Sequence, residues 1–273
     1  MEYRGSAVRA TMDGHIGRVG LCRPDKANAF DLAMWEELPA AFAWLSGQQG
    51  LRVAILFGEG RHFCAGIDLS VIRHLLELAS GNACSARGRE ALLAFIERVQ
   101  AAFNAIEGLR VPVIAEIQGA CIGAGVDLIA ACDMRLCTVD ARFSIKEADL
   151  GVVPDVGTIQ RLRHVLGYSV LAELSYTAQH FDGQEARKLG LVSQVHESPD
   201  TLREAVNRLA ATIASKSPVA LRGIKRNLLW ARDRSVADGL SYVAAWNAAM
   251  MPGEDLRESL DAVQQKRAPS YGL

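Results

Sequence analysis

The sequence lacks an excess of charge of either sign. Its 273 residues contain 30 Lys and Arg against 31 Asp and Glu, which gives a formal net charge of −1. Nucleic-acid-binding surfaces and polybasic membrane patches need a basic excess, so we predict neither nucleic acid nor a membrane as a partner. No run of about 18 apolar residues occurs, and residues 1–10 contain no apolar signal core. We therefore expect a cytoplasmic protein.

Several sequence motifs of metal sites and hydrolases are also missing. The 6 cysteines form no CxxC pair, and several lie in apolar surroundings, so we interpret them as reduced thiols in the core. The histidines have neither HxxxH nor HExxH spacing, and we predict no metal site. The GxSxG turn of the α/β-hydrolases is absent. The glycines near residue 120 fit neither a dinucleotide fingerprint nor a phosphate loop.

Strand and helix patterns alternate up to about residue 155, and helical patterns dominate afterwards. With 50% hydrophobic and 22% charged residues, the composition is that of a globular protein. The order of patterns predicts an α/β fold with a core over residues 1–200 and a helical region over residues 201–273. Strands are predicted at residues 8–12, 16–21, 53–57, 111–117, 134–138 and 192–195.

Helix signals follow residues that are suitable caps. Asp31 is a good N-cap for a helix that continues to Leu45, although Pro39 inside it predicts a kink or a break. Residues 70–109 have helical periodicity, with an interruption near Gly81 and Asn82. Further helices are predicted at residues 123–132, 158–166, 170–177, 184–189, 201–216, 218–232 and 235–250.

Two turns rich in small residues follow predicted buried strands. The first covers residues 63–69 and the second residues 119–125, which open a helix. Small residues let a ligand approach the backbone, and a helix start leaves N–H donors free. One N–H from each turn, directed at a single carbonyl oxygen, would form an oxyanion hole. Turns of this kind also serve as plain packing devices, and this alternative stays open from the residues alone.

Three carboxylates stand in apolar surroundings. Asp127 lies in an apolar helical stretch, and Glu147 and Asp155 flank the apolar residues 150–154. Burial and mutual repulsion raise carboxylate pKa values, which allows acid and base roles at neutral pH. The alternative for each is a structural role, as a helix cap or in an ion pair. The nearby bases for such pairs are Arg135, Lys146 and Arg161.

Four segments together resemble the enoyl-CoA hydratase/isomerase (crotonase) superfamily. They are residues 23–29 (RPDKANA), 64–69 (CAGIDL), 119–133 (GACIGAGVDLIAACD) and 142–158 (RFSIKEADLGVVPDVGT). The likeness extends from about residue 7 to 265. It implies an α/β spiral of ββα units, with a helical C-terminal region that serves oligomerisation and covers the CoA pocket. A homotrimer or homohexamer is implied, and so is an acyl-CoA thioester substrate, with coenzyme A belonging to the substrate rather than acting as a separate cofactor.

The resemblance also implies roles for particular residues. The oxyanion-hole donors would be the N–H groups of Ala65 and Ala124. The CoA arm and thioester would contact the segment formed by Ala65, Gly66, Ile67, Asp68 and Leu69.

The carboxylates Asp127, Glu147 and Asp155 resemble those of the Δ3,5-Δ2,4-dienoyl-CoA isomerases of fatty acid β-oxidation. In that reaction two double bonds move by one carbon each through a dienolate, so a proton leaves C2 and another is added at C6. Asp155 would remove the first, Glu147 would supply the second, and Asp127 would tune their pKa values.

Other functions are also compatible with these residues. An enoyl-CoA hydratase would use Glu147 with Asp127 and would leave Asp155 unexplained. The 4-chlorobenzoyl-CoA dehalogenases also have an aspartate at the position of Asp155, but they have tryptophan at that of Glu147. A non-catalytic acyl-CoA-binding or protein-binding member is the third alternative.

Overall fold

Two sheets organise the chain. The computed structural model describes residues 2–80 and 84–272. In this range a seven-stranded sheet has the order β1-β2-β3-β4-β5-β7-β10, and a three-stranded sheet has the order β6-β8-β9. The strands are β1 (Glu2–Arg4), β2 (Val8–Asp13), β3 (Ile16–Leu21), β4 (Val53–Gly58), β5 (Val113–Ile117), β6 (Ala120–Ile122), β7 (Met134–Thr138), β8 (Arg142–Ser144), β9 (Phe181–Asp182) and β10 (Gln194–His196).

Eleven helices surround these sheets within the described residues. They are α1 (Leu32–Ser46), α2 (Leu69–Ser80), α3 (Ser85–Glu107), α4 (Ala124–Ala130), α5 (Thr158–Leu162), α6 (Tyr168–Thr177), α7 (Gly183–Leu189), α8 (Pro199–Ala214), α9 (Pro218–Ala231), α10 (Val236–Met250) and α11 (Glu254–Gln264). Two 3-10 turns, Pro24–Lys26 and Glu147–Leu150, complete the regular structure. The predicted α/β class is confirmed.

The main sheet brings the ends of its central strands to one edge. Strands β3, β4, β5 and β7 are parallel neighbours, with Ile16 opposite Val53 and Ile114 opposite Met134. Parallel strands point their carboxyl ends the same way. The segments that follow β4 and β5 therefore leave the sheet at the same edge. These segments contain the two turns rich in small residues, 63–69 and 119–125, which we name the glycine turns.

Apolar side chains cover both faces of the main sheet. On one face an aromatic cluster joins Phe30, Trp35 and Phe103, with ring centroids 4.5–5.7 Å apart. On the other face α8 packs Leu202 and Val206 against sheet residues that include Ile55, Ile114 and Leu136. Helix α8 thus belongs to the same layered core as the strands, because it covers the second face of their sheet.

Most predicted elements are confirmed, and most of the differences concern short or proline-containing segments. Asp31 caps α1 through a bond from the Met34 N–H at 2.9 Å, but the helix continues without a break past Pro39. The buried Leu38 and Phe42 anchor it on both sides of the proline. Strands β1, β6, β8 and β9 and helix α11 were not predicted. The four strands have only two or three residues each, too few to show a period.

Several other predictions have mixed outcomes. The interruption expected near Gly81 and Asn82 lies outside the described residues. The division at residue 200 falls inside α8 and stays a prediction. Cys64, Cys121, Cys132 and Cys137 are buried as expected, whereas Cys84 is exposed. Among the helices that the structure describes, none is both long and apolar enough to cross a membrane.

Candidate active site

The two glycine turns meet at the edge of the main sheet. The Cys64 N–H donates to the Ala120 carbonyl, and the Ile122 N–H donates to the Cys64 carbonyl, each at 2.9 Å. Gly66 has a φ of +104°, and a Cβ there would stand 3.3 Å from the Ile122 carbonyl oxygen. Glycine supplies both this backbone conformation and this close approach. The structure therefore brings the predicted turns into direct contact.

Helix α4 begins at the point of contact. A Cβ on Gly125 would stand 2.6 Å from the Cys64 carbonyl oxygen, so the first turn of the helix lies directly against the other loop. Ala124 is the first residue of α4, and the N–H groups of a first turn have no acceptor within the helix. Within the described residues, the Ala124 N–H has no backbone or side-chain acceptor. It meets the requirement for an oxyanion-hole donor.

The N–H of Ala65 does not meet that requirement. It donates to the Ala27 carbonyl at 2.9 Å, so its one proton is already used. Two residues later, the Ile67 N–H has no acceptor in the described part of the chain. Ile67 forms a bridge with Phe30, whose N–H bonds the Gly66 carbonyl and whose carbonyl accepts from Asp68. The expectation for Ala65 is corrected on this geometry: Ile67 is the free donor of the first turn.

The rest of the predicted CoA-contacting segment is held by ion pairs. Arg23 lies 3.1 Å from an Asp68 carboxylate oxygen and 3.0 Å from one of Asp31. Bonds from Ser70, followed by the bond from Arg23, lower the pKa of Asp68 to about 2. Asp68 therefore fixes the loop, whereas Leu69 at its end is exposed.

The three candidate carboxylates come together behind these turns. Asp127 lies on α4 and is buried, Glu147 begins a 3-10 turn and is 9% exposed, and Asp155 lies on the exposed loop before α5. Each influences the ionisation of another: the charge of Glu147 raises the pKa of Asp127, and the charge of Asp155 raises that of Glu147. The cluster predicted from the sequence is thus present in space.

Asp127 is the most deeply buried of the three. Burial and then the charge of Glu147 raise its pKa to about 7, against the opposing effect of two bonds from Thr158. The Thr158 N–H donates to Asp127 Oδ1 at 2.9 Å and the Thr158 hydroxyl donates at 2.5 Å. Asp127 is therefore a carboxyl group that changes protonation state near neutral pH.

Glu147 presents an unpartnered oxygen. Its Oε2 is buried and has no hydrogen-bond partner among the described residues, and burial raises the pKa of the carboxyl group. Its other oxygen, Oε1, stands 3.5 Å from where a Cβ on Gly123 would lie. Glu147 thus lies next to the residue that precedes the Ala124 N–H. A buried polar atom without a partner is costly in a finished core and is expected where a ligand binds.

Asp155 is the most accessible of the three carboxylates. The residue as a whole is exposed, yet its carboxyl group lies among protein atoms, and this partial desolvation raises its pKa. It does not cap the following helix, because Gly157 is the N-cap and the Thr158 N–H bonds Asp127. Asp155 is therefore available for contact with a ligand.

The ion-pair alternative for the carboxylates is not realised, whereas Asp127 does accept the first N–H of α5, as a helix cap would. Lys146 pairs with Asp149. Arg161 bonds Asn104 and pairs with Glu107, and Arg135 donates to three backbone carbonyl groups. None of these bases pairs with a member of the carboxylate cluster in the described part of the protein. Sequence reasoning missed Thr158, whose position directly after Gly157 at a helix start was the available signal.

Comparison with known proteins assigns the family of this chain. A model of the enoyl-CoA hydratase/isomerase family matches residues 11–272. The chain belongs to the enoyl-CoA hydratase/isomerase family. It is 45% identical over 264 residues to a peroxisomal Delta(3,5)-Delta(2,4)-dienoyl-CoA isomerase of Arabidopsis thaliana, covering 97% of this chain and 95% of that protein. It is 42% identical over 254 residues to the mitochondrial isomerase of that name from Homo sapiens, with 93% and 77% covered.

Solved structures of this family share the fold. An enoyl-CoA hydratase from Bacillus anthracis superposes with a TM-score of 0.87 at 30% identity, covering 97% of this chain and 99% of that one. An enoyl-CoA hydratase from Polaromonas sp. JS666 gives a TM-score of 0.88 at 26% identity, with 98% and 100% covered. The crotonase-type fold expected from the sequence is confirmed.

Proposed function

We propose that this protein is a Δ3,5-Δ2,4-dienoyl-CoA isomerase. The observation that carries the proposal is the cluster of Asp127, Glu147 and Asp155 next to two turns with free N–H groups. Its relatives at 42–45% identity include proteins that bear this name. The reaction moves two conjugated double bonds along an acyl-CoA thioester, which requires one proton to leave C2 and another to arrive at C6.

The oxyanion hole would be formed by the N–H groups of Ile67 and Ala124. Removal of a C2 proton places negative charge on the thioester oxygen and, by conjugation, along the chain to C6. Two N–H donors directed at that oxygen stabilise the enolate, and one such donor is typically worth about 10²–10³ in rate. The contact between Gly66 and Ile122 supports this pairing, because it brings the two turns next to each other.

The two proton transfers would be divided between Asp155 and Glu147. Asp155 is the more accessible, so it can lose a proton to solvent after each turnover and act again as the base at C2. Glu147 is buried with a raised pKa, so it can hold the proton that C6 receives, and it takes a proton back from solvent before the next turnover. Asp127 would support this division, because its charge state changes the proton affinity of Glu147. The net reaction is a proton transfer without oxidation, and no separate cofactor is needed.

A direct assay tests the proposal. Purified protein is mixed with 3,5-octadienoyl-CoA, and the ultraviolet absorbance of the conjugated 2,4-dienoyl thioester is followed. We expect the absorbance to rise with multiple turnovers. The absence of this rise with a verified substrate would contradict the proposed function. Crotonyl-CoA serves as the comparison substrate: faster loss of its absorbance by water addition would favour an enoyl-CoA hydratase instead.

Assembly and compartment remain part of the proposal. We propose a homotrimer or homohexamer, because α9–α11 expose many apolar side chains, including Leu228, Leu240 and Leu260. We also propose a role in fatty acid β-oxidation. The cytoplasmic location stays a prediction, since the relatives named above are peroxisomal or mitochondrial.

A further inference from the structure

The loop that carries Asp155 is anchored on both sides by buried side chains, Pro154 and Val156, and is further held by bonds to its backbone. It links the 3-10 turn at Glu147–Leu150 to helix α5, and residues 151–153 and Asp155 are exposed. Two side chains donate to this loop. Gln100 Nε2 bonds the Asp155 carbonyl oxygen at 2.6 Å, and Arg161 Nη1 bonds the Val156 carbonyl oxygen at 3.1 Å.

Gln100 belongs to a polar stripe on α3 formed by Gln100, Asn104 and Glu107. These residues are spaced by four and three positions, so they share one face of the helix. Asn104 Oδ1 accepts from Arg161 Nη2 at 2.5 Å, and Glu107 Oε1 lies 3.4 Å from Arg161 Nε. The stripe therefore holds the loop directly through Gln100 and indirectly through Arg161.

The position of Arg161 depends on Gly157. The arginine is only 8% exposed, and a buried guanidinium needs a paired charge, which Glu107 supplies. A Cβ on Gly157 would stand 1.8 Å from Arg161 Nη1, and Gly157 has a φ of +123°. Only glycine permits this conformation and this contact together.

Open space beside the stripe makes the position of the Asp155 loop depend on these bonds. A cavity of about 310 Å³ is lined by residues that include Gln100, Asn104, Asp155, Gly157 and Arg161. Because side chains do not fill this space, the loop can shift into it when its tethers are lost.

We propose that Gln100 and Arg161 are positioning residues that set the location of the Asp155 carboxylate. The inference rests on the proposed function, in which Asp155 removes the C2 proton. Proton transfer needs hydrogen-bond distance between base and carbon acid, and a displacement of about 1 Å costs on the order of 10² in rate. Loss of the Gln100 bond should therefore slow the chemical step and leave thioester binding largely unchanged.

The test compares substitutions at Gln100 with a matched control. Gln100→Met keeps the length of the side chain but removes the donor, and Gln100→Glu places a second acceptor against the Asp155 carbonyl oxygen. Gln160→Met is the control, because Gln160 lines the same cavity without a bond to the loop among the described contacts. For each variant, kcat and KM with 3,5-octadienoyl-CoA and the melting temperature are measured.

We expect kcat to fall about tenfold or more in Gln100→Met and further in Gln100→Glu. KM should stay within about threefold of wild type, and Gln160→Met should behave as wild type. A purely structural role would lower the melting temperature without this ordered loss of kcat. An active wild-type enzyme with a Gln100→Met kcat within twofold of its own would overturn the inference alone. A wild type that forms no 2,4-dienoyl product would instead refute the proposed function and remove the basis of the inference.

Discussion

Thr158 donates both its backbone N–H and its hydroxyl to one oxygen of Asp127, at 2.9 and 2.5 Å. These bonds join the start of α5 to the interior of α4 and thereby link the loop of Asp155 to the buried carboxylate. They favour the ionised form of Asp127, whereas burial and the charge of Glu147 favour the protonated form. The balance leaves the pKa at about 7.

The first prediction concerns the pH dependence of stability. The pKa of Asp127 rises from 3.8 in the unfolded chain to about 7 in the fold. The contribution of this carboxyl group to the free energy of unfolding is fully present below pH 4, where the group is protonated, and is lost as the pH rises through 7. At 1.36 kcal/mol per unit the loss amounts to about 4 kcal/mol. Asp127→Asn removes the charge, so its stability relative to wild type should improve by up to that amount between pH 4 and pH 8, as measured by urea unfolding.

Thr158→Val is the companion variant for this prediction. It removes the hydroxyl donor and keeps the shape of the buried side chain, so the pKa of Asp127 should rise further. The loss of stability should then be larger than in wild type and continue to a higher pH. Identical pH profiles for Asp127→Asn and wild type would show that Asp127 does not titrate in this range.

The second prediction concerns Asp155. Asp155→Asn keeps the size of the side chain but cannot accept a proton, and loss of a general base costs about 10²–10⁴ in rate. We expect such a loss in kcat for 3,5-octadienoyl-CoA with a nearly unchanged melting temperature, because Asp155 caps no helix. A loss of less than tenfold with normal folding would leave Asp155 without a catalytic role.

The third prediction separates the two proton transfers. Glu147→Gln removes the group proposed to protonate C6 but leaves Asp155 and the oxyanion donors in place. In D₂O this variant should still exchange C2 protons of the substrate, while formation of the 2,4-dienoyl product falls by about 10² or more. Mass spectrometry of the recovered thioester measures the exchange. Equal losses of exchange and product formation would contradict the division of roles.

The fourth prediction tests the Ala124 N–H. Ala124 is the first residue of α4, a position where proline is well tolerated. Ala124→Pro therefore removes the donor with little effect on the helix, and kcat should fall about 10²–10³. Ala124→Ser retains the N–H and is the control for the added side-chain volume. Comparable activity of the two folded variants would exclude the Ala124 N–H as an oxyanion donor.

Much of the fold could be predicted from the sequence because its signals are local. The hairpin of β2 and β3, the cap at Asp31 and the buried strands β4 and β5 depend on alternation, capping and apolar runs. Very short strands such as β6 and β9 form only because a partner strand lies next to them. Their residues carry no periodic signal of their own, so they became visible only in the structure.

The candidate groups for the chemistry can be named from the sequence alone. Asp127, Glu147 and Asp155 were recognised because carboxylates in apolar surroundings are costly without a role, and the glycine turns were recognised by their small residues. Which N–H of the first turn is free becomes clear only in the folded chain. The Ala27 carbonyl accepts a hydrogen bond from the Ala65 N–H, and no described group accepts one from the Ile67 N–H. The same holds for Thr158 on Asp127 and Gln100 on the Asp155 loop. These bonds join residues 31 and 55 positions apart, and a hydrogen bond across such a distance exists only after the chain has folded.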